Sequence, residues 1–215
     1  MRRILLLQND PLVGRKMRDC IDAEPGWEVS GLVSTLSLAQ VHLRDDPPDL
    51  LLADLILHDG PLLALLNSRH RPPDDGLTRL LVSILSIDDE RLMPALRFGA
   101  DAYLLHGQPC AALTGSVRQV LEGGSPMTPS IARVLRTCFA AVGWPTLPGN
   151  DGAHDRTGLT ASEGLLLTRL CEGYGAEEIA AELQTSVQQL GLKARSLYRK
   201  FRAVDFGVAR AASSA

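Results

Sequence analysis

Short apolar runs alternate with longer amphipathic segments through the first 124 residues of the chain. Each run has the length of an ordinary strand and stops at a polar residue, which is typical of strands buried on both faces. The predicted strands are Ile4–Leu7, Trp27–Val33, Asp49–Asp54, Leu80–Leu85 and Ala102–Leu105.

The segments between these strands repeat apolar residues at helical spacing. The predicted helices are Leu12–Ile21, Leu36–Leu43, Gly60–Leu66, Asp88–Phe98 and Ala111–Leu121, and Arg69–Gly76 is predicted as a loop. Because strands and helices alternate, the pattern predicts a doubly wound α/β domain around a five-stranded parallel sheet.

A different pattern begins at residue 125. Thr128–Ala141 has helical spacing, whereas Val142–Gly158 is rich in Gly, Pro, Asn and Asp, which is the composition of a linker. The sequence therefore predicts one domain over residues 1–124, a linker with one helix over 125–158, and a small all-helical domain over 159–215.

Two helix-start signals organise this last part. Thr160 with Glu163, and Ser186 with Gln189, have the spacing of capping boxes. The helix after Ser186 is predicted to run to about residue 202. Its apolar residues form one buried stripe, made of Leu190, Ala194, Leu197 and Phe201.

The composition is that of an ordinary globular protein, with 45% hydrophobic and 22% charged residues in 215. The apolar run that follows Arg3 is too short for a signal peptide or a membrane span, so we expect a cytoplasmic protein without membrane contact. The cysteines, Cys20, Cys110, Cys138 and Cys171, have no metal-type spacing and are expected to be core thiols in a reducing compartment.

Asp54 is the leading candidate for chemistry in the first domain. It ends the predicted Asp49–Asp54 strand, and open α/β sheets place their functional groups at the carboxyl ends of strands. The alternative is that Asp54 caps a turn, because Asp is common where strands end.

Several motifs together resemble a known family. Pro-Asp-Leu-Leu-Leu-Ala-Asp (48–54) and Arg97–Leu105 match a receiver domain, and Leu159-Thr160-x-x-Glu163 with Glu178-Ile179-Ala180 matches a LuxR-type helix-turn-helix. The chain thus resembles a two-component response regulator of the NarL/FixJ type, with a flavodoxin-like receiver followed by a DNA-binding domain.

The resemblance implies roles for particular residues. Asp54 would accept a phosphoryl group with the help of Mg²⁺, while Ser86 and Tyr103 would form the conformational switch. The implied partners are a sensor histidine kinase, duplex DNA and a second copy of the chain. The homodimer would form through the fourth helix, fifth strand and fifth helix.

The phosphorylation pocket departs from the family pattern. Gln8 and Asn9 stand where the family has two acids, and His106 stands where it has lysine. Magnesium prefers carboxylate oxygens, so a site built from Asn9, Asp54 and Asp10 should bind it weakly. We therefore expect weak or absent phosphorylation of Asp54. His106 is either a pH-sensitive substitute for the lysine or simply a polar residue at the end of a strand.

The last helix carries the candidate DNA-binding residues. In a helix-turn-helix the first residues of the second helix meet base edges, and here these include Gln188 and Gln189. Residues 193–202 hold five basic residues and no acid, which suits phosphate contacts: Lys193, Arg195, Arg199, Lys200 and Arg202.

Two other classes of function remain open at this stage. The helical domain could be an interaction module without DNA binding, which salt-dependent binding to duplex DNA would test. The sheet could also belong to a phosphatase with an aspartate nucleophile. That class usually has a second acid two residues later, where this chain has Ile56, so the prediction is a regulator rather than an enzyme.

Overall fold

The computed structural model describes residues 1–68, 78–143, 146–147 and 158–204. The predicted loop Arg69–Gly76 and most of the predicted linker Val142–Gly158 lie outside these residues. The chain divides into two compact units, Met1–Pro126 and Met127–Ala215. No helix in the described residues is both long and apolar enough to cross a membrane.

The first unit contains the strands β1 (Arg2–Leu7), β2 (Trp27–Val33), β3 (Leu50–Asp54), β4 (Ile56–Leu57), β5 (Gly60–Pro61), β6 (Arg79–Ile84) and β7 (Ala102–Leu105). Five of them form a parallel sheet in the order β2-β1-β3-β6-β7, which confirms the predicted fold class. Its helices are α1 (Pro11–Asp22), α2 (Leu36–Asp45), α3 (Leu62–Ser68), α4 (Leu92–Arg97) and α5 (Cys110–Leu121).

The core beside the sheet follows the alternation of side chains along each strand. Ile4 and Leu6 of β1 and Leu50 and Leu52 of β3 pack in one cluster with residues of α1 and α5. These two helices therefore cover one face of the sheet. The alternate residues Leu5, Leu7 and Leu51 are also buried, so the strands are apolar on both faces.

Two segments of the first unit differ from the prediction. After β3 the chain makes a short antiparallel hairpin of β4 and β5 before α3 begins. The fourth helix starts at Leu92 rather than Asp88, because the Asp89 carboxylate accepts the Arg91 amide at 3.0 Å and stabilises a turn there.

The prediction for two of the cysteines was wrong. Cys20 and Cys110 form a disulfide, and Cys110 is exposed rather than part of the core. Cys20 lies on α1 and Cys110 opens α5, and the two helices pack against each other. The pairing was hidden in the sequence because 90 residues separate the two cysteines.

The second unit is mainly helical. It contains α6 (Pro129–Ala141), the paired short strands β8 (Thr146–Leu147) and β9 (Leu159–Thr160), and the helices α7 (Ala161–Glu172), α8 (Ala176–Glu182) and α9 (Val187–Ala203). The helix predicted within the linker, α6, packs against α7. The predicted stripe of α9 is buried, and Thr160 and Glu163 form both hydrogen bonds of the predicted capping box.

Candidate functional site

Asp54 ends β3 at the carboxyl edge of the sheet, where the neighbouring strands also end in polar residues. Gln8 and Asn9 follow β1, and His106 follows β7. Ser83 lies in β6 and is the register partner of Asp54. The parallel register therefore brings these side chains to one edge, as the sequence predicted for all of them except Ser83.

Both carboxylate oxygens of Asp54 accept hydrogen bonds. The Ser83 hydroxyl lies 2.5 Å from Oδ1, and His106 Nε2 lies 3.1 Å from the same oxygen. The backbone amide of Asn9 donates to Oδ2 at 2.8 Å. Each of the three donors comes from a different strand end, so the carboxylate is held from three sides.

The contacts of Gln8 show which atom donates in the hydrogen bond between Ser83 and Asp54. Its Nε2 lies 3.1 Å from the Leu7 carbonyl oxygen and 3.4 Å from that of Leu52, and a carbonyl can only accept. The same nitrogen donates to the Ser83 hydroxyl at 3.1 Å. Ser83 has a single hydroxyl hydrogen, which it therefore gives to Asp54.

A cavity of about 290 Å³ opens beside Asp54. Its charged and polar lining includes two further acids and one arginine: Asp10, Asp89 and Arg91. Asp10 caps α1 by accepting the Leu12 amide at 2.7 Å. Asp89 accepts two hydrogen bonds from the Arg91 side chain, both at 2.8 Å, and this contact lowers the pKa of Asp89.

The Mg²⁺ site implied by the resemblance does not fit these residues. Each carboxylate that lines the cavity already has a partner. Asp54 accepts hydrogen bonds, Asp10 caps α1, and Asp89 forms an ion pair with Arg91. Gln8 Oε1 is buried without a partner among the described residues, but as a neutral oxygen it brings no charge to a cation. The side chain of Asn9 is exposed, and across the described ranges no cluster of His, Cys, Asp or Glu could hold a metal.

The structure corrects the predicted switch serine. Ser86 lies in the exposed loop beyond β6 and accepts the Asp88 amide at 3.2 Å, so it does not contact Asp54. Ser83 takes that position because it pairs in register with Asp54, and β6 ends at Ile84, one residue earlier than predicted. Tyr103 is buried in β7, and its role as a switch residue stays a prediction.

The loop after Asp54 does not supply the missing acid. Asp59, in the turn between β4 and β5, accepts the Leu36 amide at 2.7 Å and both the amide and the hydroxyl of Ser37 at 3.1 Å. These contacts, of which the Leu36 amide is the strongest, lower the pKa of Asp59. Asp59 thus serves the start of α2, and His58 beside it is exposed.

The second candidate site is the beginning of α9. Ser186 caps the helix by accepting the Gln189 amide at 3.1 Å. Gln188 and Gln189 are exposed, and Val187 and Leu192 beside them are also accessible. The first two turns of α9 therefore present an uncovered surface of amide and apolar side chains.

Glu163 joins the end of α9 to the start of α7. Lys200 Nζ lies 2.7 Å from Glu163 Oε2, and the Ser196 hydroxyl lies 2.7 Å from Oε1. The side chains of Lys200 and Glu163 are only 13% and 5% exposed. Lys200 also donates to the Gly158 carbonyl at 2.7 Å.

The ammonium group of Lys200 is used inside the unit, and its predicted phosphate contact stays a prediction. Lys193 is half-buried and donates to the Ser162 hydroxyl at 2.7 Å. Arg199 is exposed, while Arg195 and Arg202 are half-buried. The roles of Lys193 and of these arginines stay predictions.

No protein-family model matches the sequence. The chain is 24% identical over 205 residues to the transcriptional regulatory protein LiaR of Bacillus subtilis, covering 95% of this chain and 93% of LiaR. It is 28% identical over 182 residues to the DNA-binding transcriptional activator DevR/DosR of Mycobacterium tuberculosis, covering 84% and 79%. It is 31% identical over 144 residues to the oxygen regulatory protein NreC of Staphylococcus carnosus, covering 66% and 64%.

Solved structures show the same architecture. A LuxR-family two-component response regulator from Aurantimonas is 27% identical, with a TM-score of 0.53 over 61% of this chain and 92% of that one. RcsB from Salmonella enterica serovar Typhimurium, solved on the promoter rprA with a phosphomimetic, covers 97% of this chain and 95% of its own. Its 19% identity and TM-score of 0.51 support the fold alone. Along nearly its whole length and in its fold, the chain is similar to two-component response regulators of the NarL/LuxR type.

Proposed function

We propose that the protein is a DNA-binding transcriptional regulator whose receiver is phosphorylated weakly or not at all at Asp54. The observation that carries the receiver part is the hydrogen bonding of Asp54, whose two oxygens accept from Ser83, His106 and Asn9. Receiver domains of related regulators commonly bind Mg²⁺. Phosphoryl transfer to a carboxylate needs such a cation to neutralise the phosphoryl oxygens.

The charges in the pocket favour weak or absent phosphorylation of Asp54. Gln8 and Asn9 are neutral, and the acids that line the cavity are committed to a helix cap and to Arg91. Each missing carboxylate removes an attraction that is worth about 4 kcal/mol per unit of cation charge at a distance of about 4 Å near a protein surface. Mg²⁺ would then keep its water shell rather than enter the pocket.

A labelling experiment tests the receiver. Full-length protein incubated with acetyl phosphate in millimolar Mg²⁺ should show little or no phosphoprotein on a phosphate-affinity gel. A receiver that has two acids at the positions of Gln8 and Asn9 serves as the positive control in the same gel. Efficient labelling that is lost in Asp54→Asn would overturn the proposal.

DNA binding is supported by the uncovered start of α9, where Gln188 and Gln189 are exposed. Glutamine pairs well with adenine in the major groove, and arginines near the same helix suit phosphates. Among the relatives, DevR/DosR is described as a DNA-binding transcriptional activator. Binding of a mixed-sequence duplex should be measurable at low salt and fall steeply as salt rises.

The proposed partners follow from the same relatives. RcsB has been solved as two dimers on two parallel DNAs, and we expect a homodimer here through α4, β7 and α5. A sensor histidine kinase and a cytoplasmic location complete the proposal. An interaction module without DNA binding is the alternative, and duplex binding that is absent at low salt would favour it.

A further inference from the structure

The disulfide between Cys20 and Cys110 lies outside both candidate sites. It connects α1 to the first residue of α5, and the two Cα atoms are 5.4 Å apart, within the range that disulfides span without backbone movement. Cys110 is exposed and Cys20 is half-buried at the margin of the core cluster. A small reagent in solution can therefore reach the bond.

The two helices are held together without the sulfur atoms. Met17 of α1 packs in the same core cluster as Leu113 of α5. Arg118 of α5 donates to Glu24, just beyond the end of α1, at 2.6 Å. These contacts do not involve the sulfur atoms, so we expect both thiols to stay within reach of each other when the disulfide is reduced.

Room for a reagent is also present. Cys20 and Cys110 line the same cavity of about 800 Å³ between α1 and the segment that leads into α5. In a reducing compartment, which is the location proposed above, disulfides of ordinary proteins are mostly transient or redox-sensing. A bond with one exposed cysteine beside a cavity suits a redox-sensing role.

We propose that Cys20 and Cys110 are a reversible thiol–disulfide pair that responds to small disulfides such as glutathione disulfide. Cys110 begins α5, where the free amides of a helix start stabilise a thiolate. This thiolate attacks one sulfur of glutathione disulfide, forms a mixed disulfide and releases one glutathione thiolate. The Cys20 thiolate then attacks the Cys110 sulfur and releases the second one.

The exchange balances without another reactant. The protein loses two electrons and two thiol protons, and the oxidant gains the electrons and becomes two molecules of glutathione. Excess glutathione reverses both steps. The inference does not depend on DNA binding or on the chemistry of Asp54.

The position of the pair indicates what oxidation would restrain. Asn9, whose amide holds Asp54, precedes α1, and His106, which also contacts Asp54, lies four residues before Cys110. The disulfide therefore ties together the two elements that follow these contacts. We expect slower hydrogen exchange in residues 105–113 of the oxidised protein than of the reduced protein.

The test uses the full chain, reduced and then exposed to glutathione disulfide in the absence of oxygen. Alkylation under denaturing conditions, read by mass spectrometry, should fall from all four cysteines to two, with peptides containing Cys20 and Cys110 linked. Excess glutathione under native conditions should restore all four. Cys20→Ser should stop at a glutathione adduct on Cys110, whereas Cys138→Ser should form the internal bond as the native protein does.

Three results would overturn the proposal. The thiols could stay fully alkylatable after treatment, glutathione adducts could accumulate without an internal bond, or the bond could resist glutathione in the folded protein. The last result would identify a permanent cross-link. Exchange rates in residues 105–113 that are equal in the two redox states would remove the predicted consequence for the Asp54 loops.

Discussion

Ser83 donates its hydroxyl hydrogen to Oδ1 of Asp54, and the two residues face each other in the pairing of β3 with β6. Both are almost fully buried, with 2% and 8% of their surface exposed. Because Ser83 lies within a strand, its position depends on backbone pairing rather than on the conformation of the following loop. The contact should therefore be measurable as a contribution to stability.

Ser83→Ala should lower the free energy of unfolding by about 1–3 kcal/mol, since a buried carboxylate loses a donor and Gln8 loses an acceptor. Urea unfolding followed by circular dichroism measures this change. Ser86→Ala is the matched control, because Ser86 is exposed, and it should change stability by no more than about 0.5 kcal/mol. Equal effects of the two substitutions would contradict the assignment of Ser83.

Gln8→Asp combined with Asn9→Asp should create the charge that the pocket lacks. We expect stronger Mg²⁺ binding in calorimetry and more labelling by acetyl phosphate than in the native chain. Mg²⁺ should also raise the Tm of the double variant and leave that of the native protein unchanged, because a bound cation stabilises only the folded state. Adding Asp54→Asn should abolish the labelling. A double variant that does not bind Mg²⁺ would contradict the proposal that the pocket lacks negative charge.

Glu163 should make the second unit sensitive to acid. Burial alone raises the pKa of Glu163, but hydrogen bonds from Lys200, the Thr160 amide and Ser196 outweigh it, so the pKa lies below the usual value. A lowered pKa contributes stability that is complete above the unfolded value of about 4.3 and is lost as pH falls through the folded value. Urea unfolding measured from about pH 6 to about pH 3 should show this loss of stability. Glu163→Gln should flatten the curve in that window.

Arg199 and Lys200 are adjacent in sequence and should behave differently. Lys200→Met leaves the buried Glu163 charge without its partner and should destabilise the unit by about 3–5 kcal/mol. Arg199→Ala should leave stability nearly unchanged and weaken binding to all duplexes alike, with a salt slope smaller by about 1. Fluorescence anisotropy across a salt series measures the slope, and unaltered binding in Arg199→Ala would remove this residue from the interface.

The proposed dimer can be tested at an exposed aromatic residue. Phe98, just after α4, is 54% exposed, and Leu38 on α2 is exposed to nearly the same extent, at 51%. Phe98→Glu should shift the protein towards monomer in analytical ultracentrifugation, because a charge at an apolar interface is costly. Leu38→Glu should leave the distribution as it is, and two variants that dissociate equally would point to another interface.

The sheet could be predicted because its strands are almost wholly apolar and end at polar residues. Asp54 and His106 were placed correctly at the carboxyl edge by that pattern alone. Ser83 does not stand out in the sequence because the apolar run Leu80–Leu85 continues on both sides of it, although a single serine among apolar residues of a strand is itself a signal. The register of β3 with β6, which decides the contact, is a tertiary property that no local pattern contains.

Charge along the last helix was also incompletely predicted. Counting basic residues identified the helix but not the direction of each side chain. Lys193, Ser196 and Lys200 follow helical spacing and lie on one face, next to the buried stripe, so their polarity pointed to a partner inside the unit. Ser196 and Lys200 donate to Glu163, which the sequence indicates only as a capping residue, and Lys193 donates to the neighbouring Ser162.

The hydrogen bonds of Glu163 divide α9 into two parts with different freedom to change during evolution. Its last turns are committed to Glu163 through Ser196 and Lys200, so substitutions there are selected mainly through folding. Gln188, Gln189 and Leu192 lie in the uncovered first turns and can be replaced at little cost to the unit. Under the proposed DNA-binding function, new operator preferences could therefore arise at the beginning of the helix while its end stays constant, so that recognition and folding would change separately.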